Sequence, residues 1–175
     1  RKMTVAFGQV FNNIQIKRQA GYGTSEVDAL LAGNRILFVQ RAGKKVRELV
    51  FDFDTDGYIA PDLTILAEHI GGSGVGTGFT NWTYQQEPDS IVWVVRSDGV
   101  LTGMTYQRGE NVVAWHRHIL GGAFSGGDAV VESVASISNS TASSRGEDTL
   151  YMIVKRTING GTKRYIEYLQ PFDFG

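Results

Sequence analysis

One pattern constrains this chain more than any other: an apolar run ending in a polar or basic pair, met three times. Ile36-Leu37-Phe38-Val39-Gln40-Arg41 is echoed by Ile91-Val92-Trp93-Val94-Val95-Arg96 and again by Leu150-Tyr151-Met152-Ile153-Val154-Lys155. Each run is followed by a turn and a second strand-like stretch. The first two copies lie 55 residues apart in an alignment without a gap. A copied supersecondary unit buries its apolar surface by stacking on its neighbours.

The middle copy shows the unit most clearly. Asn81-Trp82-Thr83-Tyr84-Gln85-Gln86 alternates aromatic and polar residues, the period of a strand. Glu87-Pro88-Asp89 turns the chain into Ile91–Arg96, where Ile91, Trp93 and Val95 point one way and Val92 and Val94 the other. A strand apolar on both sides is covered on both sides. Ser97-Asp98-Gly99 is a tight hairpin signal. Val100–Tyr106 runs back, Arg108–Asn111 turns again, and Val112–His118 makes a fourth strand with Val113, Trp115 and Arg117 on one face. The prediction is an antiparallel four-stranded meander of roughly 40 residues that needs another sheet against each face, which describes a β-propeller blade.

Unit 1 follows the same plan, with Val27 aligned to Trp82, Gly33-Asn34 to Pro88-Asp89, Ala42-Gly43-Lys44 to the Ser97-Asp98-Gly99 hairpin, and Phe51 to Tyr106. Its Asp62–Ile70 stretch reads as a short helix. Unit 3 runs from Val131 to Ile137, then through Asp148-Thr149-Leu150, aligned with Asp89-Ser90-Ile91. It turns at Ile158-Asn159-Gly160-Gly161 and returns along Lys163–Leu169, its fourth strand missing or supplied elsewhere. The expected fold is therefore all-β, with antiparallel four-stranded meanders repeated about three times as propeller-like blades, a partial propeller or part of a larger one. The expected organisation is an N-terminal arm over 1–24, with Val10, Ile14 and Ile16 as an edge strand, and units over 25–79, 80–126 and 127–175. Gly71–Gly78 reads as a flexible glycine-rich loop, Gly121–Gly127 as a connector and Ser138–Gly146 as a polar surface excursion. A chain opening at Arg1 and closing at Phe174-Gly175 without punctuation is expected to be a piece of a longer polypeptide.

Composition narrows the function. With 42% hydrophobic residues over 175 positions there is enough material for a sizeable core. A net charge of −1 provides no global field for nucleic acid. The absence of cysteine excludes disulfides and thiolate chemistry. No apolar run approaches the ~20 residues of a membrane helix.

Several constellations bear on chemistry. Asp52, Asp54 and Asp56, with Gly57 behind them, present alternate carboxylates as a Ca²⁺ loop does. The position of the distal bidentate glutamate is Leu63, however, so exposed carboxylates at a strand end are the better reading. His116 and His118 share one strand face as some metal sites begin, but no third ligand is spaced to join them. His69 reads as an exposed or capping residue. No G-x-S-x-G elbow occurs, and Gly71–Gly78 lacks the lysine and hydroxyl of a phosphate loop. Paired carboxylates for sugar hydrolysis depend on tertiary distances that spacing does not give. Arg41, Lys44, Lys45 and Arg47, then Arg96, then Lys155, Arg156, Lys163 and Arg164 recur near equivalent hairpins. They suggest a basic rim for an acidic partner or nucleic acid, against the favoured reading of solvated strand edges.

The wording of several stretches resembles a family of bacteriophage and prophage structural proteins. Those stretches are Ile36–Gly43, Val46-Arg47-Glu48, Asp56–Thr64, Tyr84–Ser90 with Trp93, Ala114–His118, Val131–Val134, Lys155–Gly160 and Arg164–Glu167. The resemblance spans roughly residues 25 to 170 and is to a segment of longer tail proteins of the tail tubular protein B, or nozzle, kind. It implies a propeller domain in a virion tail, made in the bacterial cytoplasm. It also implies assembly into a ring, commonly a hexamer, that extends the conduit for exiting DNA and docks adaptor or fibre proteins. It brings no catalytic residue and no cofactor. The departures are length, since three units fall short of a closed propeller, and the Gly71–Gly78 loop. Trp82, Tyr84, Trp93, Tyr106, Trp115 and Tyr168 are the expected packing and interface residues. The competing expectations are a carbohydrate-binding or carbohydrate-cleaving propeller at the tail tip, with exposed aromatics around paired acids, and a Ca²⁺-stabilised binding module.

Overall fold

The computed structural model describes residues 21–74, 76–138 and 146–170. The expected arm strand at Val10, Ile14 and Ile16 and most of the Ser138–Gly146 tract lie outside them. The described chain is all-β, with short 3-10 turns and no α-helix.

Sheet 1 is an antiparallel meander of β1 (Leu30–Ala32), β2 (Arg35–Val39), β3 (Val46–Asp52) and β4 (Gly57–Ile59) in that order. Sheet 2 repeats it with β5 (Phe79–Gln85), β6 (Ile91–Arg96), β7 (Leu101–Gln107) and β8 (Val112–His118). A two-stranded ribbon, β9 (Ala123–Phe124) and β10 (Gly127–Asp128), leads into sheet 3. Sheet 3 has three strands: β11 (Val130–Ser138), β12 (Asp148–Ile158) and β13 (Gly161–Leu169). Asn159 and Gly160 join the last two, both at positive φ (51° and 74°), the backbone that suits the twist of a two-residue hairpin. The expected helix at Asp62–Ile70 is a turn ending in one 3-10 segment, Glu68–Gly71. Pro61 precedes it, and Asp62 takes the backbone N–H and hydroxyl of Thr64 into a local turn. Such side-chain bonds compete with helix formation.

Two cores lie between the sheets. Leu37, Val39 and Val46 of sheet 1 meet Trp82, Val92, Val94, Met104 and Tyr106 of sheet 2. The opposite face of sheet 2, through Trp93, Val95 and Leu101, meets Val131, Val134, Leu150, Met152 and Val154 of sheet 3. The two-sided burial of β6 read from sequence is thus present: Val92 and Val94 are fully buried on one side, and Trp93 and Val95 on the other are 3% and 1% exposed.

The spacing of the repeat differs from the sequence alignment by one residue. Gly43 and Gly99 hold equivalent places: each donates its N–H three residues back, to Gln40 and Arg96 respectively, and each has φ near +80°. They lie 56 residues apart rather than 55, because the β2–β3 hairpin carries one more residue than β6–β7. Leu37 and Val39 therefore correspond to Trp93 and Val95, not to Val92 and Val94. In sheet 3, Val134 pairs with Met152 as Trp82 pairs with Val94, so Leu150 corresponds to Val92 rather than to Ile91. A slip of one residue exchanges the two faces of a strand, so the correction decides which way each sheet looks.

With that register the stacking has one sense. The Gly43 carbonyl accepts the N–H of Phe79 at 2.7 Å, and the Gly99 carbonyl accepts that of Val131 at 2.9 Å. Phe79 and Val131 each stand just before a β-bulge in the first strand of the next sheet. The contact between sheets 1 and 2 is repeated, in kind, between sheets 2 and 3.

Candidate functional site

The aromatic residues expected to carry packing or binding are mostly committed to sheet contacts. Trp82 is 9% exposed and donates its indole N–H to the Asp28 carbonyl of the preceding unit at 2.8 Å. Trp115 stacks parallel to Phe79 and donates to the Leu63 carbonyl at 2.9 Å. Trp93 donates to the Gln85 side chain at 2.7 Å inside the second core. The Tyr84 hydroxyl shares a hydrogen bond with Ser90. Each indole has an apolar body in a core and its polar tip satisfied, as buried indoles require. Tyr168 differs: it is 61% exposed, on the far face of sheet 3.

Most of the basic residues are paired within the fold. Lys45 binds Asp62 at 3.0 Å and Glu68 at 3.4 Å, and the Asp62 hydrogen bond raises its pKa above the ordinary lysine value. Lys44 donates to the Gly74 carbonyl. Arg47 donates to Gln40 and the Ala60 carbonyl and lies over the Tyr22 ring. Arg96 pairs with Asp98, and Arg156 with Glu167. Lys155 and Arg164 share Glu132, whose carboxyl their hydrogen bonds push down to about 2. Arg41 and Lys163 remain exposed. Pairing within the fold reduces what this set offers an external polyanion.

The Asp52, Asp54 and Asp56 triad closes the β3–β4 hairpin. Asp52 accepts the Thr55 hydroxyl at 2.7 Å, and Asp56 sits at positive φ. Among the described residues no three His, Cys, Asp or Glu side chains are gathered as a metal site would need. The short turn ends at Gly57, where β4 begins, leaving no loop to wrap around a cation.

His116 and His118 do come together, on the side of β8 that faces sheet 3. Their ring nitrogens Nδ1 and Nε2 are 2.7 Å apart, and both rings lie against Trp93. Gly103 makes this possible, because a Cβ there would overlap the His116 ring. Burial lowers the pKa of both rings, and the charge of His118 adds to the effect on His116.

Two side chains and the role of one glycine stretch were not read from sequence. Glu48 is wholly buried in the first core, where Arg35 reaches it at 3.6 Å and Arg108 at 3.0 Å. The signal was present, since strand alternation places Glu48 on the same side as Val46. Asp148 links sheet 3 to the β5–β6 turn, its carboxylate accepting the N–H groups of Gln86 and Glu87. The glycines of the 71–78 stretch serve close approach. A Cβ at Gly71 would meet the Lys44 carbonyl at 2.6 Å and one at Gly78 the Gly43 carbonyl at 2.8 Å. The described residues of that stretch are tied to the β2–β3 hairpin and to Ser97. An open depression of ≈ 450 Å³ beside it is lined by Gly43, Lys44, Thr77, Thr80 and Ser97 among others, with no carboxylate.

No helix among the described residues is long and apolar enough to cross a membrane. No family model and no curated protein matches the chain.

Proposed function

We propose that this chain is a structural part of a bacteriophage virion, a tail-tube, nozzle or tail-connector segment that works by assembly and not by turnover. The observation that carries the reading is the use made of the aromatics. Trp82, Trp93 and Tyr106 are buried between sheets, and Trp115 is stacked on Phe79 with its indole N–H bonded to a backbone carbonyl. A sugar-binding site would need such rings exposed around paired acids. The open depression is lined by Lys44, the hydroxyl residues Thr77, Thr80 and Ser97, glycines and the buried Phe79, with no carboxylate. Repeated sheets stacked in one sense also suit propeller-like architecture, as the resemblance to nozzle proteins implies. On this reading the partners are further copies in a ring, a hexamer in the resembled family, together with adaptor or fibre proteins and, in passing, exiting DNA. The place of action is the virion tail.

Negative-stain electron microscopy of concentrated protein tests this reading. Ring particles with a central opening are the expected result. Dispersed single particles, together with specific retention on a glycan array, would replace it with the carbohydrate-binding alternative.

A further inference from the structure

The corrected register gives each sheet two unlike faces. One looks forward along the stack: Leu37 and Val39 in sheet 1, Trp93 and Val95 in sheet 2. The other looks back: Val92 and Val94 in sheet 2, Leu150 and Met152 in sheet 3. The forward faces of sheets 1 and 2 are each covered by the backward face of the next sheet. The first two strands of sheet 3 pair as those of sheet 2 do. Tyr151 and Ile153 occupy the places of Trp93 and Val95, since Ala135 pairs with Tyr151 as Thr83 pairs with Trp93. Ile166 and Tyr168 of β13 stand beside them in register.

This forward face is open. Ile153 is 39% exposed, Ile166 79% and Tyr168 61%. At the other end of the stack, the backward face of sheet 1 carries Leu31, Phe51 and Tyr58, exposed by 64%, 37% and 37%. Leu31 lies on that side because it pairs with Ile36, and Tyr58 because it pairs with Phe51. Among the described residues, these apolar side chains at the two ends of the stack are exposed, whereas Phe38 on the backward face of sheet 1 is buried. Clustered exposed apolar side chains of this kind mark association sites.

We propose that the forward face of sheet 3 receives the backward face of sheet 1 from a second copy of this chain. The contact continues the one already made twice inside the molecule, sheet 1 to 2 and sheet 2 to 3. It is head-to-tail, so successive copies close a ring when their rotation sums to a full turn and otherwise extend as a filament. The inference rests on the assembly reading above and adds to it the two surfaces and their polarity.

Two exposed substitutions separate the ends: Ile166→Asp on sheet 3 and Leu31→Asp on sheet 1. Light scattering after size exclusion is read for the unaltered chain, for each variant and for their equimolar mixture. Far-ultraviolet dichroism confirms that both variants fold. The unaltered chain is expected to form multimers, and each variant alone to stay monomeric. The mixture should give a dimer and nothing larger, because each variant keeps one intact end. Multimers that persist in both variants would overturn these surfaces while leaving ring assembly standing through another face. Open, growing filaments from the unaltered chain that both variants abolish would uphold the surfaces and refute the ring. A mixture that stays monomeric, or an unaltered chain monomeric at every concentration, would overturn the inference.

Discussion

The Glu48 carboxylate of sheet 1 and the Arg108 guanidinium beyond sheet 2 approach to 3.0 Å, with the Glu48 side chain fully buried. The pair crosses the first core and ties the third strand of one meander to the turn after the third strand of the next. Its alignment is that of an ion pair, and the Tyr106 hydroxyl lies beside the buried carboxylate. Tyr106 is correspondingly resistant to ionisation: burial raises its pKa first, and the Glu48 charge adds to it. Removing one partner of a buried pair weakens the compensation of the other, and without Arg108 only Arg35, at 3.6 Å, would still face Glu48. Arg108→Ala should therefore destabilise the fold by about 2–4 kcal/mol in urea, less than a wholly buried pair would lose because Arg108 is part-exposed. In a Glu48→Leu background the same substitution should cost under about 1 kcal/mol. Equal costs in both backgrounds would mean that Glu48 and Arg108 are not coupled.

Gly103 is required by His116 and not by its own backbone. Gly103→Ala places a methyl into the imidazole and should cost about 1–3 kcal/mol, the usual penalty of overpacking. His116→Ala vacates that space. In the double variant the penalty of Gly103→Ala should largely vanish, which thermal unfolding of the four proteins would reveal.

The histidine pair gives the fold a pH dependence of definite sign. Burial holds both imidazoles neutral in the folded state, with pKa values below the ordinary 6.5. The unfolded chain takes up protons as pH falls through 6.5, while the folded chain does not, so stability falls below that pH until the lowered folded values are passed. Denaturant midpoints between pH 7.5 and 5 should decline. His116→Gln with His118→Gln should flatten that slope. The Glu132 carboxyl, held at about 2, works in a separate window: its stabilisation is complete above the ordinary 4.5 and is lost as pH drops toward 2.

Asp148 fastens sheet 3 to sheet 2 at the end far from the glycine hairpins. Its carboxylate takes two N–H groups at 2.8 and 3.1 Å, and its backbone exchanges further bonds with Gln85 and Glu87. Asp148→Ala should cost about 1–2 kcal/mol. Asp148→Asn keeps an acceptor and should cost less than half of that. An alanine no worse than the asparagine would show the two bonds to be idle.

What could be read from the residues, and what could not, divides along physical lines. The strands were legible because two-sided apolar runs such as Val92–Val95 and turn signals such as Asn159-Gly160 act locally. The register between units was not. One extra residue in the β2–β3 hairpin moves the repeat from 55 to 56, and a gapless alignment absorbs it silently. The glycines at 71 and 78 read as flexibility in sequence, whereas their cause is a carbonyl from a distant hairpin. The His116–His118 pair could be foreseen from strand spacing, but its dependence on Gly103 is a cross-strand fact. The basic residues recur at similar places in each unit, yet their partners Asp62, Glu132 and Glu167 come from other strands or from distant turns.

The sheets are stacked in one repeated sense, and two amide protons report this directly. The N–H groups of Phe79 and Val131 are bonded across sheets to Gly43 and Gly99. Residue-resolved hydrogen exchange should find both protected to the same degree as amides inside β6 and β7, since they open only when the stack opens. If either exchanged as fast as the exposed turn at Gly109, its sheet would not be held as described. The repeat that defines forward and backward faces would then be contradicted.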